Sequence, residues 1–301
     1  MPLWIPITIA AAFLQNLRSA LQRQLARDLT ATSATYVRFL FGLPVAIVYL
    51  WVLLATLDVD LSAPPPEFYV YAVLGGVAQI IGTVLLVALF AHRNFVVGTT
   101  YSKTETVQTA LFGILVFGET VTLGASIGIA VSLVGVIAIS MARTEASPSA
   151  LITSLTERAA LMGIGSGAAY GVAAVYYRAG SLSLGMGGFL VPAAITLAVV
   201  LTIQTLLMTG WLLWKDKTSL MATLKNWPAS LAIGVAGALG SIGWFTAMTL
   251  QNAAYVRALG QIELVFTFAL SWIWFREQAN AKEIAGVLLI IGGLIVLILG
   301  T

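Results

Sequence analysis

NFVVGTTYSKTETVQTALFGILVFGETVTLGASIGIAVSLVGVI, Asn94 to Ile137, is the stretch that decides how the chain is read. It holds the densest polar cluster inside any apolar run of the molecule, Tyr101-Ser102-Lys103-Thr104-Glu105-Thr106, followed by Gln108. It also returns. At an offset of 158 residues Asn94 falls on Asn252, Glu105 on Glu263, Thr109 on Thr267 and Phe117 on Phe275. Glu119 then meets Glu277, Gly128 meets Gly286 and Gly135 meets Gly293. A polar segment written twice into a hydrophobic chain is where function is expected to lie.

Around that stretch the composition leaves one class. Of 301 residues 59% are hydrophobic and 9% charged, with a mean hydropathy of +0.98. A soluble domain carries roughly a quarter charged residues, and this chain cannot supply such a surface. Its apolar runs, about 20 residues each, match a hydrocarbon layer ~30 Å thick. They are continuous rather than alternating, which argues against a β-barrel. The reading is an all-α, multi-pass membrane protein. A net charge of +3 without any basic run excludes a nucleic-acid partner. Zero cysteines exclude disulfides, thiolate metal sites and a cysteine nucleophile. The N-terminus, MPLWIPITIAAAFLQNL, has no positive leader and reads as a retained first span, not a signal peptide.

Ten spans are expected, at about 3–26, 32–56, 67–91, 95–116, 121–141, 157–178, 187–210, 228–250, 255–275 and 281–300. The three prolines of Asp58 to Pro66 cannot continue a helix. Arg143 to Glu157 is the longest polar stretch, at the middle of the chain. Gly76–Ile137 aligns without gaps on Gly234–Ile295, with thirteen identities in 62 positions. The chain therefore divides into a first five-span repeat, 1–146, and a second, 147–301.

An odd number of crossings turns the second copy upside down. Charge agrees. One set of connections, with their helix ends, holds Arg23, Arg27, Arg38, Arg93, Arg143, Arg158, Lys215, Lys217, Lys225, Arg276 and Lys282; the other holds Arg178 and Arg257. Cytoplasmic loops collect Lys and Arg, so both termini are expected on the outer, periplasmic side. Seven of the eight tryptophans fall near span ends, while Trp244 falls mid-span beside Gly234, Gly237, Gly240 and Gly243.

With these motifs the chain resembles the drug/metabolite transporter superfamily, in its ten-helix branch with two EamA-type repeats. The carrying residues are Gly118-Glu119-Thr120 with Gly128 and Gly135, repeated as Arg276-Glu277-Gln278 with Gly286 and Gly293. Glu-to-Gly spacing is nine residues in both copies and Gly-to-Gly spacing seven. Arg276 departs from the family's glycine. The YSKTE segment and the ten-span length look like the YddG-type amino acid exporters. The resemblance implies two inverted five-helix repeats around a central cavity, alternating access, and efflux of small metabolites through a bacterial inner membrane.

Lys103 and Glu105 inside an apolar span cost ~2.5–3.5 kcal/mol each on insertion scales, so they should face protein or a wet cavity. Two residues apart, they do not pair with each other. Glu105 either lines the cavity or tethers to Arg18 or Arg38. Glu263 is its inverted mate, with Gln261 at the Lys103 position, and the two copies are expected to form separate polar layers, one towards each gate. Protonation of either carboxylate would couple transport to protons. Tyr101, Tyr170, Tyr176, Trp244 and Tyr255 offer aromatic faces for a side chain or an ammonium; Gln79, Gln108, Gln15 and Asn16 are buried amides needing partners. Glu119 and Glu277 are read as architecture at helix starts, with Gly128, Gly135, Gly286 and Gly293 as packing positions. His92 stands alone, and no metal or other cofactor is expected.

The function read from this is a secondary transporter exporting aromatic or broad neutral amino acids and similar small metabolites, working as a monomer or weak dimer. The alternatives are an exporter of other metabolites or cationic drugs, or a channel-like facilitator. No GxxxxGK[ST] loop is present, so the chain is no ATPase. An embedded enzyme would need a catalytic set that one His, no Cys and two separated carboxylates do not furnish.

Overall fold

Proline and polar punctuation set the helix ends. The computed structural model describes residues 1–25, 31–59, 61–89, 95–142, 155–225, 227–273 and 280–301. Among them the chain is helical, without a strand. The helices are α1 (Trp4–Leu25), α2 (Ala31–Thr56), α3 (Pro66–Leu89), α4 (Phe95–Ser102), α5 (Glu105–Phe117), α6 (Leu123–Ala142) and α7 (Arg158–Ser183). They continue as α8 (Leu190–Lys215), α9 (Lys217–Lys225), α10 (Trp227–Leu250), α11 (Ala253–Leu259), α12 (Ile262–Ile273) and α13 (Ala281–Leu299). Helix α3 begins on Pro66, where a missing N–H costs nothing. Among the described residues, seven helices are long and apolar enough to cross a membrane: α2, α3, α6, α7, α8, α10 and α13.

Two expectations change here. Spans 4 and 9 are not single helices but two broken ones, α4–α5 and α11–α12. The polar link between α8 and α10 contains a short helix, α9, which Asp216 caps by accepting from the Ser219 N–H at 3.0 Å.

The chain forms two compact units. The first joins Met1–Ile80 with Tyr176–Gln251, the second Ile81–Val175 with Asn252–Thr301. Each unit thus draws on both sequence halves, and α3 and α7 are shared between units.

In the first unit α10 packs against α1 and α2. A Cβ at Gly243 would lie 2.8 Å from Ala11 Cβ, and Gly234 presses on Phe41, so glycines let these backbones approach. Tyr36, Val37, Phe39 and Ile233 are buried, with the Tyr36 and Thr209 hydroxyls hydrogen-bonded at 2.5 Å. Tyr177 stacks on Phe245, centroids 4.4 Å apart, and donates to Gly75 O at 3.1 Å. Arg178 Nη1 donates to Met248 O at 2.7 Å and Gln251 O at 2.8 Å, satisfying carbonyls that the end of α10 leaves open.

In the second unit α6 crosses α13 at the repeat-matched glycines. A Cβ at Gly128 would sit 2.7 Å from Gly293 O, and one at Gly135 2.7 Å from Gly286 O. As numbers rise along α6 they fall along α13, so these equivalent helices run antiparallel. Gly118, in the left-handed region at φ 63°, ends α5, its N–H donating to Ile114 O at 3.1 Å. Helix α6 is capped by Thr122, whose hydroxyl accepts from the Ala125 N–H at 3.1 Å. Its mate at the same offset, Asn280, caps α13 in a capping box with Glu283. Glu119 is therefore not at the start of a helix as expected. The helix begins four residues later, and the Glu119 carboxylate folds back over Gly113 of α5. Glu277 lies outside the described residues, as do His92, Arg93, Asn94, Trp274 and Arg276.

Candidate functional site

Hydroxyl-rich sequence breaks the first of the two interrupted helices. Ser102 Oγ donates to Thr99 O at 2.7 Å and Thr104 Oγ1 to Tyr101 O at 2.6 Å, offering the carbonyls an alternative to the helical ladder. The backbone tightens to three-residue spacing, with the Lys103 N–H on Thr100 O at 3.1 Å. At the same offset the Gln261 N–H meets Ala258 O at 3.0 Å, after Gly260. The break itself is repeated.

Helix α7 accommodates the first break with a stripe of glycines. Gly163 lies against Tyr101, where a Cβ would come 3.0 Å from Tyr101 Cβ. Gly167 lies against Ser102 O and Glu105 N, and Gly171 against Thr109 N at 3.1 Å. Placed one helical turn apart, they let the interrupted backbone rest directly on α7. This stripe escapes the repeat comparison because α7 lies outside its alignable part; only the four-residue glycine spacing signals it.

At the breaks stand four charged side chains. Lys103 Nζ donates to Glu263 Oε1 at 2.8 Å, and Arg257 Nη2 pairs with Glu105 Oε1. The Lys103 charge is felt by Glu105 and Arg257 as well as by Glu263, so the four form one electrostatic set with no net charge. Glu105 and Arg257 have side chains 10% and 18% exposed, against 20% and 28% for Glu263 and Lys103.

The expectation of two separate polar layers is corrected: the carboxylates share one cluster. Glu105 lies ten residues from the start of the 95–117 segment and twelve from its end. A mid-segment position maps onto nearly the same depth when the repeat is inverted. The tether of Glu105 to Arg18 or Arg38 is replaced by Arg257, an arginine expected only as an outer-side cation. An arginine six residues from a glutamate inside an apolar run was the available signal, since a charge there needs a partner.

The remaining candidates divide. Gln261 is buried, 7% exposed, and its Oε1 has no donor among the described residues. Gln108 Nε2 donates to Thr104 Oγ1 at 2.9 Å while its Oε1 faces Gly167, likewise without a donor among the described residues. Tyr255 is buried and its hydroxyl accepts from the Thr122 N–H at 3.0 Å, serving the start of α6. The Tyr170 hydroxyl donates to Thr83 Oγ1 at 2.9 Å. In the first unit Gln79 Oε1 accepts from Gln204 Nε2 at 2.8 Å, Tyr176 packs on Tyr71, and Trp244 borders a pocket with Gln15. Among the described residues no group of His, Asp or Glu could hold a metal ion.

A family model for the EamA-like transporter family matches residues 2–141 and again 157–299. The chain belongs to that family. It is accordingly a multi-pass membrane transporter of the drug/metabolite transporter superfamily. A segment of 80 residues is 35% identical to the pseudopaline exporter CntI of Pseudomonas aeruginosa, in strains UCBPP-PA14 and PAO1. That match spans 27% of this chain and 28% of those relatives. A solved crystal structure is similar over 99% of this EamA-family chain and 96% of its own, with a TM-score of 0.74 at 16% identity, which is a likeness of fold.

Proposed function

We propose that this EamA-family protein exports small metabolites by alternating access, with aromatic or broad neutral amino acids as the favoured class. The observation carrying the proposal is the neutral four-charge cluster at two repeated helix breaks. Broken helices within an inverted repeat free backbone groups where a binding site can form. Ion pairs joining the copies can be exchanged for substrate groups as the copies move. Lys103 and Glu263, with side chains 28% and 20% exposed, form the more open of the two pairs. The Lys103–Glu263 half is thus the one suited to open and to admit an ammonium or carboxylate, and protonation of either carboxylate would couple the cycle to protons. Tyr101, Gln108 and Gln261 serve as neighbouring contacts. Tyr255 acts through the α5–α6 turn.

Ten spans complete this reading, with α1, α4–α5 and α11–α12 added to the seven long apolar helices. Both termini face the periplasm, the protein sits in a bacterial inner membrane, and it works as a monomer or weak dimer. The local similarity to a pseudopaline exporter supports a second reading, a metabolite other than a standard amino acid. Counterflow in proteoliposomes with a panel of amino acids, with and without a pH gradient, tests both. Saturable flux of aromatic or neutral amino acids is the expected result. Absence of flux for the whole panel would move the substrate to the second reading.

A further inference from the structure

Helix α9 turns small polar side chains inward and large ones outward. Ser219 and Thr223, one turn apart, are buried. The opposite face carries Lys217, Met221, Leu224 and Lys225, at the i, i+4, i+7 and i+8 spacing of one helical stripe. All four are exposed, Met221 at 63%. A helix on a water-facing surface places its apolar residues the other way round.

The position of α9 supplies a different solvent. Helices α8 and α10 are both long and apolar enough to cross a membrane, so the short connection between them lies at a membrane surface. Ser33 Oγ, in the first turn of α2, donates to Ser219 O at 3.1 Å. Ser230 Oγ, in the first turn of α10, donates to Thr223 O at 3.5 Å. Consecutive turns of α9 thus touch the starts of two different spans, and the helix runs across span ends rather than along one of them. Its outward stripe meets the layer where headgroups give way to acyl chains. There Met221 and Leu224 find an apolar surrounding while the lysine stems carry their charges to the polar layer. Trp214 at the end of α8, 75% exposed, and Trp227 at the start of α10, also exposed, flank the stripe as interfacial aromatics do.

Charge decides which headgroup fits. The connection 215–228 holds Lys215, Lys217 and Lys225 against one carboxylate, Asp216. That carboxylate is turned to the Ser219 N–H and hydroxyl as the α9 cap. Lys215 Nζ lies over the Trp214 ring, 4.1 Å from its centre. Lys217 and Lys225 stand about 12 Å apart along the outward stripe, far enough for each to take its own phosphate.

We infer that α9 is an in-plane anchor that binds anionic phospholipid headgroups through Lys217 and Lys225. The inference rests on the membrane placement of α8 and α10 and not on what the protein carries.

The sequence has no cysteine, so Met221→Cys takes a single neutral, polarity-sensitive fluorophore on the stripe. The labelled full chain is placed in nanodiscs of mixed phosphatidylcholine and phosphatidylglycerol, with each lipid brominated in turn, and quenching gives their relative affinities at α9. Blue-shifted emission is expected, with phosphatidylglycerol favoured at least about fivefold. Lys217→Gln with Lys225→Gln should bring the ratio to about one, whereas Arg at both positions should keep it. The same label on Leu239→Cys, exposed midway along α10, should show no preference. Equal affinity of the two lipids at position 221, a reading that needs no lysine variant to fold, would overturn the inference. So would a preference that survives the paired Gln substitution, or one equally strong at position 239. Emission like that of the dye in water in every lipid mixture, shielded only when polyglutamate is added, would assign the stripe to an acidic protein partner and overturn the lipid reading.

Discussion

The segments 95–117 and 253–273 carry the same break and the same glutamate but different cations. Lys103 has Gln261 as its counterpart, and Arg257 has Thr99. Each carboxylate takes its counter-charge from the other copy, Glu105 from Arg257 and Glu263 from Lys103. Two carboxylates near the axis of an inverted repeat would repel each other, so counter-charges are required. Symmetry leaves open which copy supplies them. Here one carboxylate receives a forked, permanently charged guanidinium and the other a flexible ammonium. The two repeats share a backbone plan and are not interchangeable at the site.

The largest expected effect breaks the more buried pair. Glu105→Gln strands the Arg257 charge and should cost about 3–5 kcal/mol, the range for removing one partner of a buried pair. Glu263→Gln, at the more exposed pair, should cost less. Thermal unfolding of the two variants side by side checks the order, and equal losses would remove the distinction between the pairs. Next comes the crossing that makes the repeats antiparallel. Gly128→Leu drives a side chain into Gly293 O and Leu297 N and should destabilise by about 1–3 kcal/mol. Gly292→Leu in α13, where a Cβ meets nothing, should be nearly silent in the same assay.

A finer test transfers the asymmetry. Lys103→Gln with Gln261→Lys moves the ammonium to the other copy but leaves Glu263 without it, and transport should fall about tenfold, equivalent to about 1.4 kcal/mol. Adding Thr99→Arg and Arg257→Thr mirrors the whole set and should recover part of the loss. A quadruple variant no better than the double would show that the surroundings, not the pairing, are asymmetric.

The smallest effect lies outside the membrane spans. Hydrogen bonds from the Ser219 hydroxyl and N–H hold the Asp216 carboxyl below its usual pKa. A depressed carboxylate contributes stability above its unfolded pKa that is lost as pH falls through its folded value. Asp216→Ala should therefore flatten the acid side of the stability profile slightly and leave neutral transport unchanged.

Much of this plan was legible in the sequence. Apolar runs gave the membrane class, and the offset of 158 exposed the repeat because Glu and Gly at matched positions stand out in apolar surroundings. The helix breaks were less visible. Residues 99–104 contain neither proline nor glycine, and their interruption depends on side-chain hydroxyls competing for carbonyls. Depth was misjudged for the same segment, since a distance counted from one end of a span says little about which residues meet across an inversion axis. Arg257 was hidden by its place two residues after Tyr255, near the expected span edge, where a cation normally signals a loop. Arg18 is expected only as a tether for Glu105, and Arg38 as that or as a cytoplasmic-side cation; only the fold brings their stems to the same glycine.

Glu105 and Arg257, from opposite repeats, are proposed to form a pair on which transport depends. The most direct test of that dependence is charge exchange: Glu105→Arg, Arg257→Glu and the double variant, assayed for amino acid counterflow in proteoliposomes with melting temperatures read alongside. Each single change should abolish most flux, and the double should regain at least about tenfold over either single, a coupling of about 1.4 kcal/mol. A double variant that is well folded yet no more active than the singles would contradict the claim.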